Sequence, residues 1–336
     1  MVAWALAGQV GALGGPVLVG DYETPDAAVI VFNESWPDAW PKLVKAVASE
    51  VPVYVLREDG ATTKAMTRQI EALPERTLDV LETLSFQVDT PWARDWGPLT
   101  VRSAKGVTWL DTPYAVDRPA DDVAPRMLAR AFGASVVDVD PPIDGGAIAS
   151  NGRGLCVMTR EYIEKHIEGQ EIDPASVGCR SVTYVPALEQ ESTKHVDMFL
   201  QFIGPDAIVL AEVDPLADPE NATRLEATYD AVVDAAVAQG LELKVTRVPM
   251  GPADREGNYF PYINFARFGD TLIVPSYHSV SVRMQARAYA RLQTAMPNLR
   301  QVAIHADDMA TSGGSVHCIT VGLWLTVNPR RGWPVD

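Results

Sequence analysis

Short, unbroken apolar runs recur along the chain, separated by segments whose apolar residues repeat at helical spacing. Ala27–Phe32 (AAVIVF) is such a run and predicts a strand buried on both faces. Residues 40–49 follow with helical spacing, and 51–56 (VPVYVL) predict a second strand. A helix over 124–132 precedes a strand over 134–139. A strand over 207–213 (AIVLAEV), a long helix over 221–239 and a strand over 241–248 come next. A strand over 271–275, a helix over 280–296 and a strand over 301–305 complete the series. The strand–helix–strand unit returns at irregular spacing, which is not the fixed period of a solenoid. The pattern predicts an α/β protein with a doubly wound sheet as the default. Pseudo-symmetric modules around a centre fit the same pattern, and periodicity does not separate the two.

No linker or low-complexity stretch divides the 336 residues, a length that suits one large domain or two ordinary ones. Hydrophobic residues at 47% and charged residues at 21% describe an ordinary soluble globular protein. The net charge of −16 argues against nucleic-acid binding, since no basic field displaces counterions, and it suits a small cationic substrate. The opening MVAWALAGQVGALGGPVLVG is apolar but lacks the basic n-region of a signal peptide. Glycines and a proline break it as a membrane span. A cytoplasmic location is expected, with an already removed leader left open.

Cys156, Cys179 and Cys318 are an odd, widely spaced set. They read as no disulfide framework and no zinc knuckle, so a reducing compartment is the simpler expectation. The five histidines form no HExxH spacing, and no metal site is expected.

Four segments carry candidate chemistry, and Cys318 makes a fifth. In Asp89 to Pro98, DTPWARDWGP, the prolines predict a fixed loop rather than a helix. Trp92 and Asp95 could present an aromatic face and a carboxylate to a planar cation. An internal Arg94–Asp95 pair with a core tryptophan fits the segment equally well. His195 and Asp197, two apart at the predicted start of a strand, would share a face as a general-base pair or as a structural one. Asp144-Gly145-Gly146 reads as a turn near a site carboxylate and is no phosphate loop. Asn264, among the aromatics of YFPYINF, reads first as a strand residue bonding backbone. Cys318, in GGSVHCIT, is either a buried small hydrophobe or a nucleophile approached closely by backbone at the glycines.

Taken together, WARDWGP (92–98), DGG (144–146), HVD (195–197), the stretch with Asn264 and GGSVHCIT (313–320) resemble the agmatine deiminase and bacterial (Porphyromonas-type) peptidylarginine deiminase family of the guanidino-group-modifying superfamily. The motifs run in the family's order across residues 92–320. The resemblance implies a pentein fold, an α/β propeller of five pseudo-symmetric ββαβ-type modules around a central site, in one domain over 1–336. It implies hydrolysis of a guanidino substrate, either agmatine or free or peptidyl arginine, to a ureido product and ammonia. That chemistry would serve polyamine biosynthesis or citrullination. Cys318 would attack the guanidinium carbon and form a thiouronium intermediate. His195 would serve as acid and then base, Asp95 and Asp197 would hold the guanidinium, and Trp92 would stack on it. Asp144, where agmatine deiminases usually have glutamate, and Asn264 would help bind the substrate. No cofactor, metal, nucleic acid or membrane is implied, and a homo-oligomer stays open. Amidino transfer on the same fold and a catalytically silent guanidine-binding protein are the alternatives.

Overall fold

The apolar runs of the sequence are central strands, but of several small sheets rather than one. A computed structural model describes residues 15–114 and 116–326; the apolar opening at 1–14 lies outside them. The described residues form five sheets of three or four strands. This overturns the doubly wound default: the apolar runs are covered on both faces by helices and neighbouring modules, and the sequence pattern of a two-faced strand is the same in either case.

In chain order, β1 (Val17–Leu18) is an edge strand. β2 (Ala27–Phe32), α1 (Ala39–Ala48) and β3 (Val53–Glu58) make a parallel strand pair with its crossover helix. α2 (Thr63–Glu71) and α3 (Glu75–Leu78) lead to β4 (Leu81–Val88). α4 (Ala93–Trp96) then opens the first of four alike units: β5 (Leu99–Ser103), β6 (Gly106–Asp111), α5 (Pro119–Phe132) and β7 (Val136–Asp138). The next is β8 (Ile148–Ser150), β9 (Leu155–Thr159), α6 (Arg160–His166) and β10 (Ser181–Val185). The third is β11 (Leu200–Gly204), β12 (Ala207–Glu212), α7 (Pro219–Ala238) and β13 (Lys244–Pro249). The fourth is β14 (Ala266–Phe268), β15 (Thr271–Ser276), α8 (Val282–Ala295) and β16 (Arg300–His305). In all four the first two strands are antiparallel and the third returns parallel to the second. After α9 (Asp307–Ala310), β17 (Thr320–Leu323) pairs antiparallel with β2, so the fifth module is built from both ends of the chain.

Local chemistry sets the helix limits. Asp218 caps α7 by accepting from Asn221 N, and Ser281 caps α8 by accepting from Met284 N. α5 begins at Pro119, five residues before the predicted start, because proline at N1 and Asp121 and Asp122 in the first turn suit a helix N-terminus. The predicted strand over 134–139 shrinks to β7, a half-exposed edge strand.

Cys156 and Cys179 are joined in a disulfide, against the expectation of free thiols. Cys156 lies in β9 and Cys179 just precedes β10, its parallel neighbour, so the crossover brings their Cα atoms to 6.0 Å despite 23 residues of separation. The cysteine argument for a reducing compartment therefore falls away. Among the described residues no helix is long and apolar enough to cross a membrane.

Candidate active site

Every motif of the sequence sits just before the first strand of a module. Trp92 to Asp95 precede β5, Asp144 precedes β8, His195 to Asp197 precede β11, Asn264 precedes β14 and Cys318 precedes β17. Modules of one connectivity present these ends alike, so five remote segments meet. The entry to β5 is one turn of helix, α4, where the prolines predicted a loop; it is closed by Gly97 N donating to Ala93 O at 3.0 Å. His195 and Asp197 lie on a 3-10 turn, Val196–Met198, rather than on a strand. The strand begins only at Leu200, because the chain must turn to enter β11. Both side chains reach the space beside Gly146, but they pair with different neighbours.

His195 is buried between two carboxylates: Nε2 is 3.2 Å from Asp144 Oδ2 and Nδ1 is 3.5 Å from Asp95 Oδ1. Asp197 faces the thiol, with Oδ2 3.8 Å from Cys318 Sγ. Asn264 is fully buried and not in a strand; its Nδ2 donates to Cys318 Sγ at 3.3 Å and to Asp197 O at 3.4 Å. Trp92 and Cys318 flank Gly314, where a methyl group would come within 2.6 Å of the indole and 3.1 Å of Cys318 Cβ. Arg94 does not pair with Asp95. It makes two bonds to Asp21, at 2.6 and 2.9 Å, and donates to Gly145 O at 3.0 Å, which leaves Asp95 to the site. All seven residues singled out in the sequence are thus within one cluster.

Comparison with known proteins agrees with this geometry. The family described as Porphyromonas-type peptidyl-arginine deiminase matches residues 29–323. The chain belongs to this family. The agmatine deiminase of Pseudomonas aeruginosa is 26% identical over 328 residues, covering 84% of this chain and 85% of that protein. The agmatine deiminase of Pseudomonas fluorescens is 25% identical, covering 89% and 93%. The solved agmatine deiminase of Enterococcus faecalis superposes with a TM-score of 0.76 at 20% identity, covering 95% of this chain and 99% of that one, which fixes the pentein fold.

Around the Porphyromonas-type deiminase motifs stand residues that sequence reasoning missed. His317 donates from Nδ1 to Asp197 Oδ2 at 2.7 Å, and its Nε2 is 3.8 Å from Asp21. Its only sequence signal is adjacency to Cys318. Buried Glu191 accepts from the backbone N–H of Thr193 at 2.9 Å and of His195 at 3.2 Å, fixing the approach to His195. In ALEQEST it reads as loop polarity. Tyr162 accepts from Asp144 N at 2.8 Å and packs its ring 5.6 Å from His195.

The electrostatics follow from burial among carboxylates. Burial alone would lower His195, but Asp95 and Asp144 outweigh it and raise the imidazolium to about 10. Burial pushes Asp95 up, while His195 pulls it back. Burial would also raise Asp197, yet the bond from His317 and its charge hold it below the usual carboxylate range. Burial, then the charges of Asp197 and Asp95, push the Cys318 thiol well up. The free site therefore holds a thiol beside an imidazolium at neutral pH, and added positive charge is what would ionise it. Alkylation of Cys318 by neutral iodoacetamide is expected to be slow at pH 7 and to accelerate steadily with pH as the thiolate fraction grows. A cationic haloacetamidine is expected to label at least about tenfold faster at pH 7, the effect of one pKa unit on thiolate fraction. A rate that levels off already below neutral pH would show a thiol ionised without substrate.

Proposed function

We propose that the chain hydrolyses a guanidino compound to a ureido compound and ammonia, with Cys318 as nucleophile. The observation that carries this reading is a pair of buried carboxylate oxygens, Asp95 Oδ1 and Asp197 Oδ1, that accept no hydrogen bond. Buried acceptors left without donors are costly, and a guanidinium supplies several N–H groups in one plane together with the positive charge two carboxylates call for. Trp92, beside Gly314 and Cys318, would cover that plane. Bound there, the cation lowers the thiol pKa, and the thiolate adds to the guanidinium carbon. The His195 imidazolium gives its proton to the departing nitrogen, which leaves as ammonia. The amidino group stays on sulfur as a thiouronium. Neutral His195 then takes a proton from water, the hydroxide adds to the same carbon, and the thiolate leaves with the ureido product formed. The single-domain reading over 1–336 goes with this proposal, since segments from all five modules serve one centre.

Agmatine is the first substrate to test, because it is named in both curated relatives. A second reading of the substrate's tail rests on Arg118, whose Nη1 donates to Tyr114 Oη at 3.1 Å, while Asp95 and Asp144 lie close enough to raise Tyr114 after burial has done so. A guanidinium held on Tyr114, whose hydroxyl feels the site carboxylates, suits a tail ending in carboxylate, as in arginine. Ammonia release is measured with agmatine, arginine and an arginine-containing peptide, each with and without an added amine. Turnover of at least one guanidine to its ureido product supports the proposal. Amidinated amine in place of ureido product assigns transfer instead, and a folded chain that turns over none of the three overturns catalysis.

A further inference from the structure

Two histidines far apart in sequence meet a carboxylate at the end of the fourth module where β15 and β16 finish, the same end at which the chain enters β14. His278 follows β15, His305 ends β16 and Asp307 begins α9. One ligand atom from each lies within 4.8 Å of the other two. The imidazole rings are 4.2 Å apart, tilted by 34°. His305 Nδ1 lies 3.2 Å from Asp307 Oδ2, yet it is shielded from water and makes no hydrogen bond. Asp307 is fixed in place: Oδ2 accepts from His278 N at 2.8 Å, and Oδ1 accepts from Ser279 N at 2.9 Å and from Ser279 Oγ.

We propose that His278, His305 and Asp307 form a binding site for a divalent transition-metal ion, with zinc as the expected occupant. Two imidazoles and one carboxylate suit zinc and its neighbours, whereas magnesium and calcium prefer an all-oxygen set. Three protein ligands leave further positions for water. The carboxylate comes already oriented by Ser279 and the His278 backbone, as metal-binding carboxylates usually are. His278 is exposed, so its ring has room on the solvent side to adjust to the ion. The site would fasten the connection after β15 to the segment that runs from Asp307 to Cys318. Sequence spacing gave no hint of it, because 27 residues separate the histidines and only the parallel pairing of β15 with β16 brings them side by side.

The test uses the full chain carrying Cys318→Ala, which removes the thiol that could itself hold zinc. Binding of Zn²⁺ is followed by calorimetry and by competition with a chromophoric chelator, in the presence of excess Mg²⁺. One ion per chain is expected, with affinity at least about tenfold weaker in His278→Ala and in His305→Ala, the usual scale of loss when a metal site is damaged. Zinc is also expected to raise the thermal midpoint of the parent and not of His278→Ala, because only a ligand of the folded state stabilises it. His278 is exposed, so its replacement leaves the fold in place. No zinc uptake by the parent, or uptake of equal stoichiometry and affinity by His278→Ala, would overturn the proposal.

Discussion

Replacing Cys318 with alanine is expected to abolish turnover while leaving the protein folded. The substitution removes one sulfur from a buried position, and neighbouring groups keep their own partners: Asp197 retains His317, and Asn264 retains the backbone of His317 and Asp197. The cost to stability is that of a small cavity, whereas the cost to chemistry is the whole covalent route. Losing a nucleophile typically lowers kcat by about 10⁴ to 10⁶. Steady-state ammonia release checks the first half and the thermal unfolding midpoint the second. Residual activity above about one per cent in a folded variant would contradict covalent catalysis, given those penalties.

Gly146→Ala is expected to be nearly as damaging, although glycine carries no chemistry. A methyl group there would lie 2.6 Å from His195 Nδ1, 2.7 Å from Asp95 Oδ1 and 3.1 Å from Asp197 Oδ2. It would intrude among the acid and both carboxylates proposed to hold the substrate. These side chains are buried and tied to neighbours, so they cannot all give way without losing alignment. Displacements near an ångström cost about a hundredfold in rate. We expect kcat to fall and KM to rise together, with unfolding still cooperative. A variant with wild-type kinetics would show that the three side chains do not need their present positions.

The sequence made the motifs legible better than their geometry. WARDWGP and GGSVHCIT point to residues that the fold brings into one cluster, because a thiol, a carboxylate and an indole at those spacings are distinctive. The conformations were less readable. A histidine and an aspartate two apart before FLQFI look like a strand, and only the structure shows that a 3-10 turn presents them. The second glycine of DGG reads as turn chemistry, but the structure makes it a steric requirement of the cluster. His317 and Asp21 act through contacts across 120 and 73 residues and Glu191 through a backbone bond, which no local pattern encodes. The central strands were readable because unbroken apolar runs survive any sheet topology. Short or one-faced strands such as β4, β8 and β14 were not, because three residues or a mixed exposure carry too little periodicity.

The pairing of β17 with β2 joins residues almost a full chain length apart, and Cys318 stands two residues before that seam. Closing so long a loop is the slowest kind of contact for a folding chain to make. Compact, helix-containing intermediates with four modules formed would therefore still lack a nucleophile in place. The same seam is where a transient opening of the native protein would separate thiol from carboxylates without unfolding the rest. Regain of activity after dilution from denaturant thus reports the last event of assembly rather than collapse, and catalysis itself becomes a clock for closure of the ring.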